Sequence, residues 1–207
     1  MLRKTGRIVA VMIAFVLSAS RPVFFGPYMI YLNLHKAGWK EVLLVMLGVV
    51  VSDILDGVVA KRLGGKCKSG GQIDSISDKI FTAELLYDYS WEYPLPVIPT
   101  ALIIMQREVE IGVLRWRMEK LGISFDADMP GKVKAVFQYL FIGAVGVLRS
   151  TAPEYIHTAA FWTSVIGGVI AIVLTLYSQF WYYKKADGLL LAHYEKWAEE
   201  IEKRQLV

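Results

Sequence analysis

The segment 53–78 constrains the fold more than any other part of the chain, because it sets four aspartates at helical spacing among long apolar segments. At about 100° per residue, Asp53 and Asp56 share one side of a helix, and Asp74 and Asp78 share one face of the next. A short loop between these helices would bring the four carboxylates together at one membrane surface. The fold must therefore compensate their charge.

Four carboxylates at close range repel one another unless cations lie between them. All-oxygen ligands favour hard divalent ions, so the pattern predicts Mg²⁺ or Mn²⁺, and two ions would balance four carboxylates better than one. A paired-metal site suits phosphoryl transfer, because it can stabilise both the attacking and the leaving oxygen. Gly57 and Gly70 lack side chains and would leave room for a ligand or a neighbouring helix.

The composition favours a membrane protein with a single domain over residues 1–207. Hydrophobic residues make up 55% of the chain and the mean hydropathy is +0.43. The net charge of +4 does not indicate nucleic acid as a partner, because the lysines and arginines flank apolar runs instead of forming one patch. The single cysteine, Cys67, cannot form an internal disulfide and is predicted to be an ordinary free thiol.

The apolar segments predict an all-α integral membrane protein with six transmembrane helices. These helices cover about 8–34, 41–60, 73–93, 95–118, 131–149 and 158–183. The charged, amphipathic segment 183–207 is predicted to be a surface helix or tail. Aromatic clusters at 161–162 and 180–183 fit an interfacial belt.

The first predicted helix could alternatively be a signal peptide. Basic LRKTGR, apolar IVAVMIAFVL and the small residues at 18–20 resemble an n-region, an h-region and a cleavage site. Apolarity resumes after Arg21 and continues to Leu34, which favours one uncleaved helix with a kink at Pro22 or Pro27.

Six spans would place both termini on the same side of the membrane. Most basic residues near span ends fall on that side, in the groups 3–7, 61–68, 115–120 and 184–185. The opposite loops offer Lys36, Lys40 and Arg149. The positive-inside rule therefore predicts a multi-pass protein of the cell (inner or plasma) membrane, with its termini and carboxylate site facing the cytoplasm.

The aspartate segment resembles the signature of the CDP-alcohol phosphotransferase family, D-x2-D-G-x2-A-R-x8-G-x3-D-x3-D. The matching residues are Asp53, Asp56, Gly57, Ala60, Gly70, Asp74 and Asp78. The one departure is Lys61, which stands where the family has arginine. Arginine can hold a phosphate through two parallel hydrogen bonds and lysine cannot.

This resemblance implies that an alcohol attacks the phosphorus of a CDP-linked lipid, CMP leaves and a new phosphodiester forms. It implies metal ligands at Asp53, Asp56, Asp74 and Asp78, with Asp78 also acting as the general base. A carboxylate beside a cation can orient and deprotonate a hydroxyl, which agrees with that role. The resemblance further implies a homodimer, and it implies contacts with the CDP-lipid at Asp53, Gly57, Ala60, Lys61 and Gly70.

Two basic segments bear on the acceptor. Arg107 and Arg115 lie eight residues apart on roughly one helix face, and Lys132 and Lys134 open the next predicted helix. Cations on adjacent helices near a metal site suit an anionic substrate, although Arg115 and the lysines could equally mark a cytoplasmic interface. The segments REVEIGVLR and GKVKAVFQ resemble the phosphatidylglycerolphosphate synthase branch of the family. That resemblance implies glycerol 3-phosphate as the acceptor, with its phosphate bound by these cations.

The segment LSASR at 17–21 resembles LTxxR of the same branch, with Phe15 in the place of its usual asparagine. This implies that Arg21 lines the site, and snorkelling of its side chain to a membrane interface is the alternative. Glu84 and Asp88 are polar residues of the third predicted helix to which the sequence assigns no chemistry.

Three other functions remain open. The same chemistry could use inositol phosphate, serine or phosphatidylglycerol as the acceptor. From a different class, the carboxylates could serve a cation-coupled transporter, although ionisable residues would then be expected through the membrane midplane, whereas these crowd one surface. The third is an inactive relative that only binds nucleotide or metal, which restoring arginine at Lys61 would test.

Overall fold

In the computed structural model, residues 2–62, 68–123 and 129–205 are described, although not every side chain within those ranges. The elements are α1 (Leu2–Ser20), a π-helical segment (Arg21–Phe25), α2 (Gly26–Leu34), α3 (Trp39–Arg62), α4 (Lys68–Ser90), α5 (Pro94–Lys120), α6 (Met129–Arg149) and α7 (Glu154–Gln205). These ranges contain no β-strand, so the all-α prediction is confirmed.

The π-helical segment interrupts the first predicted helix where the sequence predicts a kink. Pro22 lies in the first turn of this segment, and proline lacks the amide hydrogen that a regular helix uses for its internal bonds. A π-helical turn holds an extra residue and so changes the direction in which nearby side chains point. Arg21, at the start of the segment, is completely buried inside the bundle.

The ends of α5 are fixed by residues that favour a helix boundary. Pro94 occupies the first turn, where an amide hydrogen would have no partner within the helix. At the other end Gly122 has a φ of 73°, its amide donates to the carbonyl of Glu119, and the amide of Ile123 donates to the carbonyl of Met118, both at 3.0 Å. Glycine adopts this left-handed conformation readily, so the last carbonyls are satisfied.

The interior of the bundle is mixed in character, while its outer surface is strongly apolar. Phe81, Leu85 and Tyr89 recur every four residues along α4 and are fully buried in the core. The interior also encloses arginine side chains, whereas large apolar residues such as Leu102 (66% exposed) and Leu44 (68%) cover the outside. Exposed apolar surface on this scale is typical of a face that contacts a membrane or a partner.

Polar contacts join the α2–α3 and α6–α7 turns at one end of the bundle. The amide of Thr151 donates to the carbonyl of Ala37 at 2.9 Å. Nearby, Arg149 pairs with Asp88 and, at 2.7 Å, with Glu92. Asp88 is therefore part of an ion-pair network that holds α4 to α6.

The six predicted helices match the observed elements when α1, the π-helical segment and α2 are counted as one. The predicted tail is not a separate element, because α7 does not stop near residue 183 but continues as the same helix to Gln205. Within the described ranges, Met12–Leu34 and Glu154–Glu199 are long and apolar enough, by length and composition, to cross a membrane.

Candidate active site

Asp53 of α3 and Asp78 of α4 converge on the buried guanidinium of Arg21. Nη1 of Arg21 donates to Oδ1 of Asp53 at 3.0 Å and also pairs with Oδ1 of Asp78. The arginine side chain is fully buried, whereas those of Asp53 and Asp78 are 44% and 35% exposed. One nitrogen thus holds two carboxylates from different helices, so Arg21 lines the site and does not snorkel to an interface.

Tyr139 of α6 makes a further contact with Asp78. Its hydroxyl donates to Oδ1 of Asp78 at 3.1 Å, so this carboxylate oxygen accepts from both a tyrosine and an arginine. The Tyr139 ring lies 6.2 Å from the ring of Phe81, which belongs to the core. Contacts with two other elements therefore fix the orientation of the Asp78 carboxylate.

The donor atoms at this point fit a hard divalent cation. Both converging atoms are carboxylate oxygens, which Mg²⁺ and Mn²⁺ prefer as ligands. Their charges are close enough to require a positive partner, and Arg21 fills that role here. No group of three or more His, Cys, Asp or Glu side chains assembles among those described. The side chains of Asp56 and Asp74 lie outside the described part, so the four-carboxylate site stays a prediction.

Glu108 of α5 is surrounded by cations from three helices. Its Oε1 accepts from Nη1 of Arg107 at 2.9 Å and from Nζ of Lys134, while its Oε2 lies 3.8 Å from Nζ of Lys79. Arg107 and Lys134 are each only 4% exposed. Buried charges are stable only when they are paired and hydrogen-bonded, and Glu108 supplies one negative charge to several positive ones.

Arg107 and Arg115 keep hydrogen-bond donors that nothing in the described part of the chain accepts. These buried atoms are Nε and Nη2 of Arg107 and Nε of Arg115. Buried donors without partners are rare, because each forfeits about 1–3 kcal/mol of hydrogen bonding to water. Such directed, positively charged donors suit an anionic ligand.

Tyr182 of α7 links the two arginines. The guanidinium carbons of Arg107 and Arg115 each lie 5.2 Å from the centroid of its ring, and Nη2 of Arg115 donates to its hydroxyl at 2.8 Å. Tyr182 is completely buried, whereas Phe180 and Tyr183 are exposed. Its assignment to an interfacial belt was wrong, because each residue turns about 100° from the last along a helix and Tyr182 faces the bundle.

The carboxylates and the cations line one cavity of about 1190 Å³ between α3, α4, α5, α6 and α7. We define the cation cluster as Lys79, Arg107, Arg115 and Lys134, all of which line this cavity. The cavity continues along an apolar stretch whose lining includes Leu43, Val50, Gly143 and Ala160. The polar and the apolar parts therefore form one volume.

The structure brings together those predicted site residues whose side chains it describes. Asp53, Asp78, Arg107, Arg115 and Lys134 all line the cavity, so Arg115 faces the site and does not merely mark an interface. Arg107 is paired with Glu108, the residue that follows it in α5. The remaining predicted residues lie outside the part whose side chains are described, and these are Asp56, Gly57, Ala60, Lys61, Gly70, Asp74 and Lys132.

Lys79, Tyr139 and Tyr182 line the cavity and contact its charged residues, but the sequence did not predict them as site residues. Lys79 directly follows the last motif aspartate, and its position beside that residue was a usable signal. Tyr139 and Tyr182 carried no such signal, because an aromatic residue that supports a polar site has the same sequence pattern as one that faces lipid.

Carboxylate oxygens and buried cations share one cavity of the helical bundle, and this arrangement suits a transferase that acts on phosphate-bearing substrates. The chain belongs to the CDP-alcohol phosphatidyltransferase family, whose model matches residues 7–180. Its activity is therefore that of a CDP-alcohol phosphotransferase in phospholipid biosynthesis.

Several relatives carry the name CDP-diacylglycerol–glycerol-3-phosphate 3-phosphatidyltransferase. One from Pectobacterium atrosepticum is 31% identical over 162 residues, which cover 74% of this chain and 83% of the relative. One from Salmonella choleraesuis is 27% identical over 174 residues, covering 80% and 90%. One from Shigella flexneri serotype 5b is 29% identical over 155 residues, covering 72% and 79%. No solved structure matches the chain.

Proposed function

We propose that this protein transfers a phosphatidyl-type group from a CDP-linked lipid to glycerol 3-phosphate and releases CMP. The observation that carries the proposal is the shared cavity, in which the cation cluster faces the same volume as Asp53 and Asp78. An anionic acceptor bound at the cations would lie beside carboxylates that can act on its hydroxyl. The relatives support the choice, because their name contains both CDP-diacylglycerol and glycerol 3-phosphate.

The charge of the cation cluster favours a phosphate monoester as the acceptor. Four positive side chains face the cavity and Glu108 pairs with three of them, which leaves an excess of positive charge that a dianionic phosphate would offset in large part. Serine has no such dianion, and the phosphate of phosphatidylglycerol is a diester. Inositol phosphate carries the same group as glycerol 3-phosphate, so the preference between these two rests on the named relatives.

The donor would occupy the rest of the cavity. Its apolar part suits lipid chains, and the side of the cavity that carries Asp53 is where the CDP group would lie. Contacts to CDP at Gly57, Ala60, Lys61 and Gly70 follow from the family signature. Lys61 would hold the donor phosphate as a single positive charge, without the paired hydrogen bonds of arginine.

We assign the metal site to Asp53, Asp56, Asp74 and Asp78, with two Mg²⁺ or Mn²⁺ ions. The convergence of Asp53 and Asp78 on one cationic nitrogen supports this assignment, because it shows their oxygens close together and in need of positive charge. When bound, such ions would stabilise negative charge on the attacking and leaving oxygens of the phosphoryl group.

The chain's own residues account for binding and proton transfer. The cation cluster holds the acceptor phosphate and thereby orients the acceptor in the cavity. Asp78 accepts the proton of the acceptor hydroxyl, whose oxygen bonds to the phosphorus that carries the lipid. The bond from that phosphorus to the oxygen of CMP breaks, and CMP leaves with the electron pair. Tyr139 orients Asp78 throughout, by its hydrogen bond of 3.1 Å.

We further propose that the protein spans the cell (inner or plasma) membrane six times, with its termini and active site at the cytoplasmic face. The apolar outer surface supports this placement, and so does the enclosure of Arg21 and Arg107 inside the bundle. The distribution of basic residues supports the orientation. A homodimer follows from the family resemblance and belongs to the same proposal.

The test is CMP release by the purified protein in detergent with CDP-diacylglycerol and Mg²⁺. Glycerol 3-phosphate, inositol phosphate, serine, phosphatidylglycerol and no acceptor are compared. The proposal predicts release with glycerol 3-phosphate and little with the others. Release with serine alone would overturn the acceptor assignment, and release with no acceptor would identify a hydrolase.

A further inference from the structure

We propose that Tyr182 is a positioning residue that aims Arg107 and Arg115 at the acceptor phosphate. The inference rests on the proposed function and adds to it a residue from α7, outside the aspartate motif and the two basic segments. Tyr182 contributes no charge, and its role is exerted through the two arginines that it contacts. It would therefore govern binding of the acceptor and leave the chemical step alone.

The first argument is geometric. Arg107 and Arg115 are eight residues apart on α5, which separates their backbones by about 12 Å along the helix axis. Both guanidinium carbons nevertheless lie 5.2 Å from the centroid of the same ring. Tyr182 thus holds two cations close together at one point of the cavity wall, and its contacts with both offset part of their mutual repulsion.

The second argument concerns which hydrogen-bond donors stay available. A carboxylate in this position would neutralise a guanidinium and occupy its N–H groups, as Glu108 does with Nη1 of Arg107. An aromatic ring attracts a cation through its π electrons and leaves the N–H edge of the guanidinium unoccupied. Nε and Nη2 of Arg107 and Nε of Arg115 indeed lack acceptors among the described residues. The ring therefore stabilises the arginines while it keeps them competent to bind an anion.

The third argument is that Tyr182 is held firmly. It is completely buried, and its hydroxyl accepts from Nη2 of Arg115 at 2.8 Å. A Cβ added to Gly131, near the start of α6, would lie 3.5 Å from this hydroxyl and 4.0 Å from Nη2 of Arg107. Parts of α5, α6 and α7 thus meet at the ring, so it has little freedom to turn away and release the arginines.

The experiment compares Tyr182→Leu and Tyr182→Phe with wild type in the CMP-release assay, and varies acceptor and donor separately. Tyr182→Leu should raise the KM for glycerol 3-phosphate about tenfold, because two cation–π contacts are lost. Tyr182→Phe keeps the ring and loses the hydroxyl, so the increase should be about threefold. kcat and the KM for the donor should stay near wild type, and inhibition by inorganic phosphate should weaken in the same order.

Tyr183→Leu is the matched control, because Tyr183 is the neighbouring residue, is exposed and donates to Glu110 at 2.7 Å outside the cavity. It should leave the KM for glycerol 3-phosphate unchanged. If Tyr182→Leu does not fold, Tyr182→Phe decides the question alone. An unchanged acceptor KM, or equal losses in both substrates and in kcat, would overturn the positioning role while wild-type activity upholds the proposed function. A wild-type protein inactive with glycerol 3-phosphate would overturn both.

Discussion

Replacing Arg21 with methionine removes the cation that lies between Asp53 and Asp78 while keeping most of the buried volume. Breaking a buried ion pair on one side costs about 3–5 kcal/mol. Here the two carboxylates are 44% and 35% exposed, so water compensates part of their charge. We therefore expect a loss of about 1–3 kcal/mol in the free energy of unfolding, which corresponds to a fall in Tm of about 3–10 °C for a chain of this length.

The assay is thermal unfolding in detergent, with and without Mg²⁺ or Mn²⁺. A divalent ion would neutralise the same two carboxylates, so either metal should restore much of the Tm that Arg21→Met loses. Arg149→Met is the matched control, because Arg149 also joins two carboxylates, Asp88 and Glu92, at the other end of the bundle. It should lower Tm without specific recovery by metal.

Two results would refute this reasoning. If Arg21→Met unfolds at the wild-type temperature without metal, the ion pairs with Asp53 and Asp78 contribute nothing to stability. If metal raises the Tm of Arg149→Met as much as that of Arg21→Met, the recovery is a general ionic effect, and the assignment of a metal site to Asp53 and Asp78 loses its support.

Further substitutions test other parts of the account. Asp78→Asn should lower turnover by about 10²–10⁴ while donor affinity stays near wild type; normal turnover would exclude Asp78 as the base. Lys134→Met should raise the KM for glycerol 3-phosphate at least about tenfold and spare the donor KM, whereas equal effects on both would indicate a structural role. Gly146→Ala should lower Tm, because its Cβ would lie 2.8 Å from the Tyr89 hydroxyl, and Gly188→Ala, with nothing within 4 Å, should not.

Helical periodicity accounts for much of what the sequence could predict. The spacing of apolar residues located the helices, and the spacing of the aspartates predicted that carboxylates of two helices would meet. The meeting of Asp53 with Asp78 in the structure confirms that part. Arg107 of α5 and Lys134 of α6 likewise line the same cavity as these aspartates. Basic residues buried between helices need a polar environment, so their convergence could be expected.

The supporting residues could not be predicted in the same way. Tyr182 lies within a run of four aromatic residues, and only the rotation of α7 against α5 decides which of them faces the arginines. The buried position of Arg21 depends on the π-helical segment, and the presence of Pro22 alone does not determine that segment. Tertiary packing determines whether such residues face the site, and it produces no periodic pattern in the sequence.

The most direct test of the central claim follows the phosphate itself. Glycerol 3-phosphate labelled with ³²P is incubated with the protein, CDP-diacylglycerol and Mg²⁺, and both the label in the lipid extract and the CMP released are counted. A single cavity that joins the two substrates predicts one labelled lipid for each CMP. CMP release without label in the lipid would contradict the claim, because the cation cluster would then not be holding the acceptor that reacts.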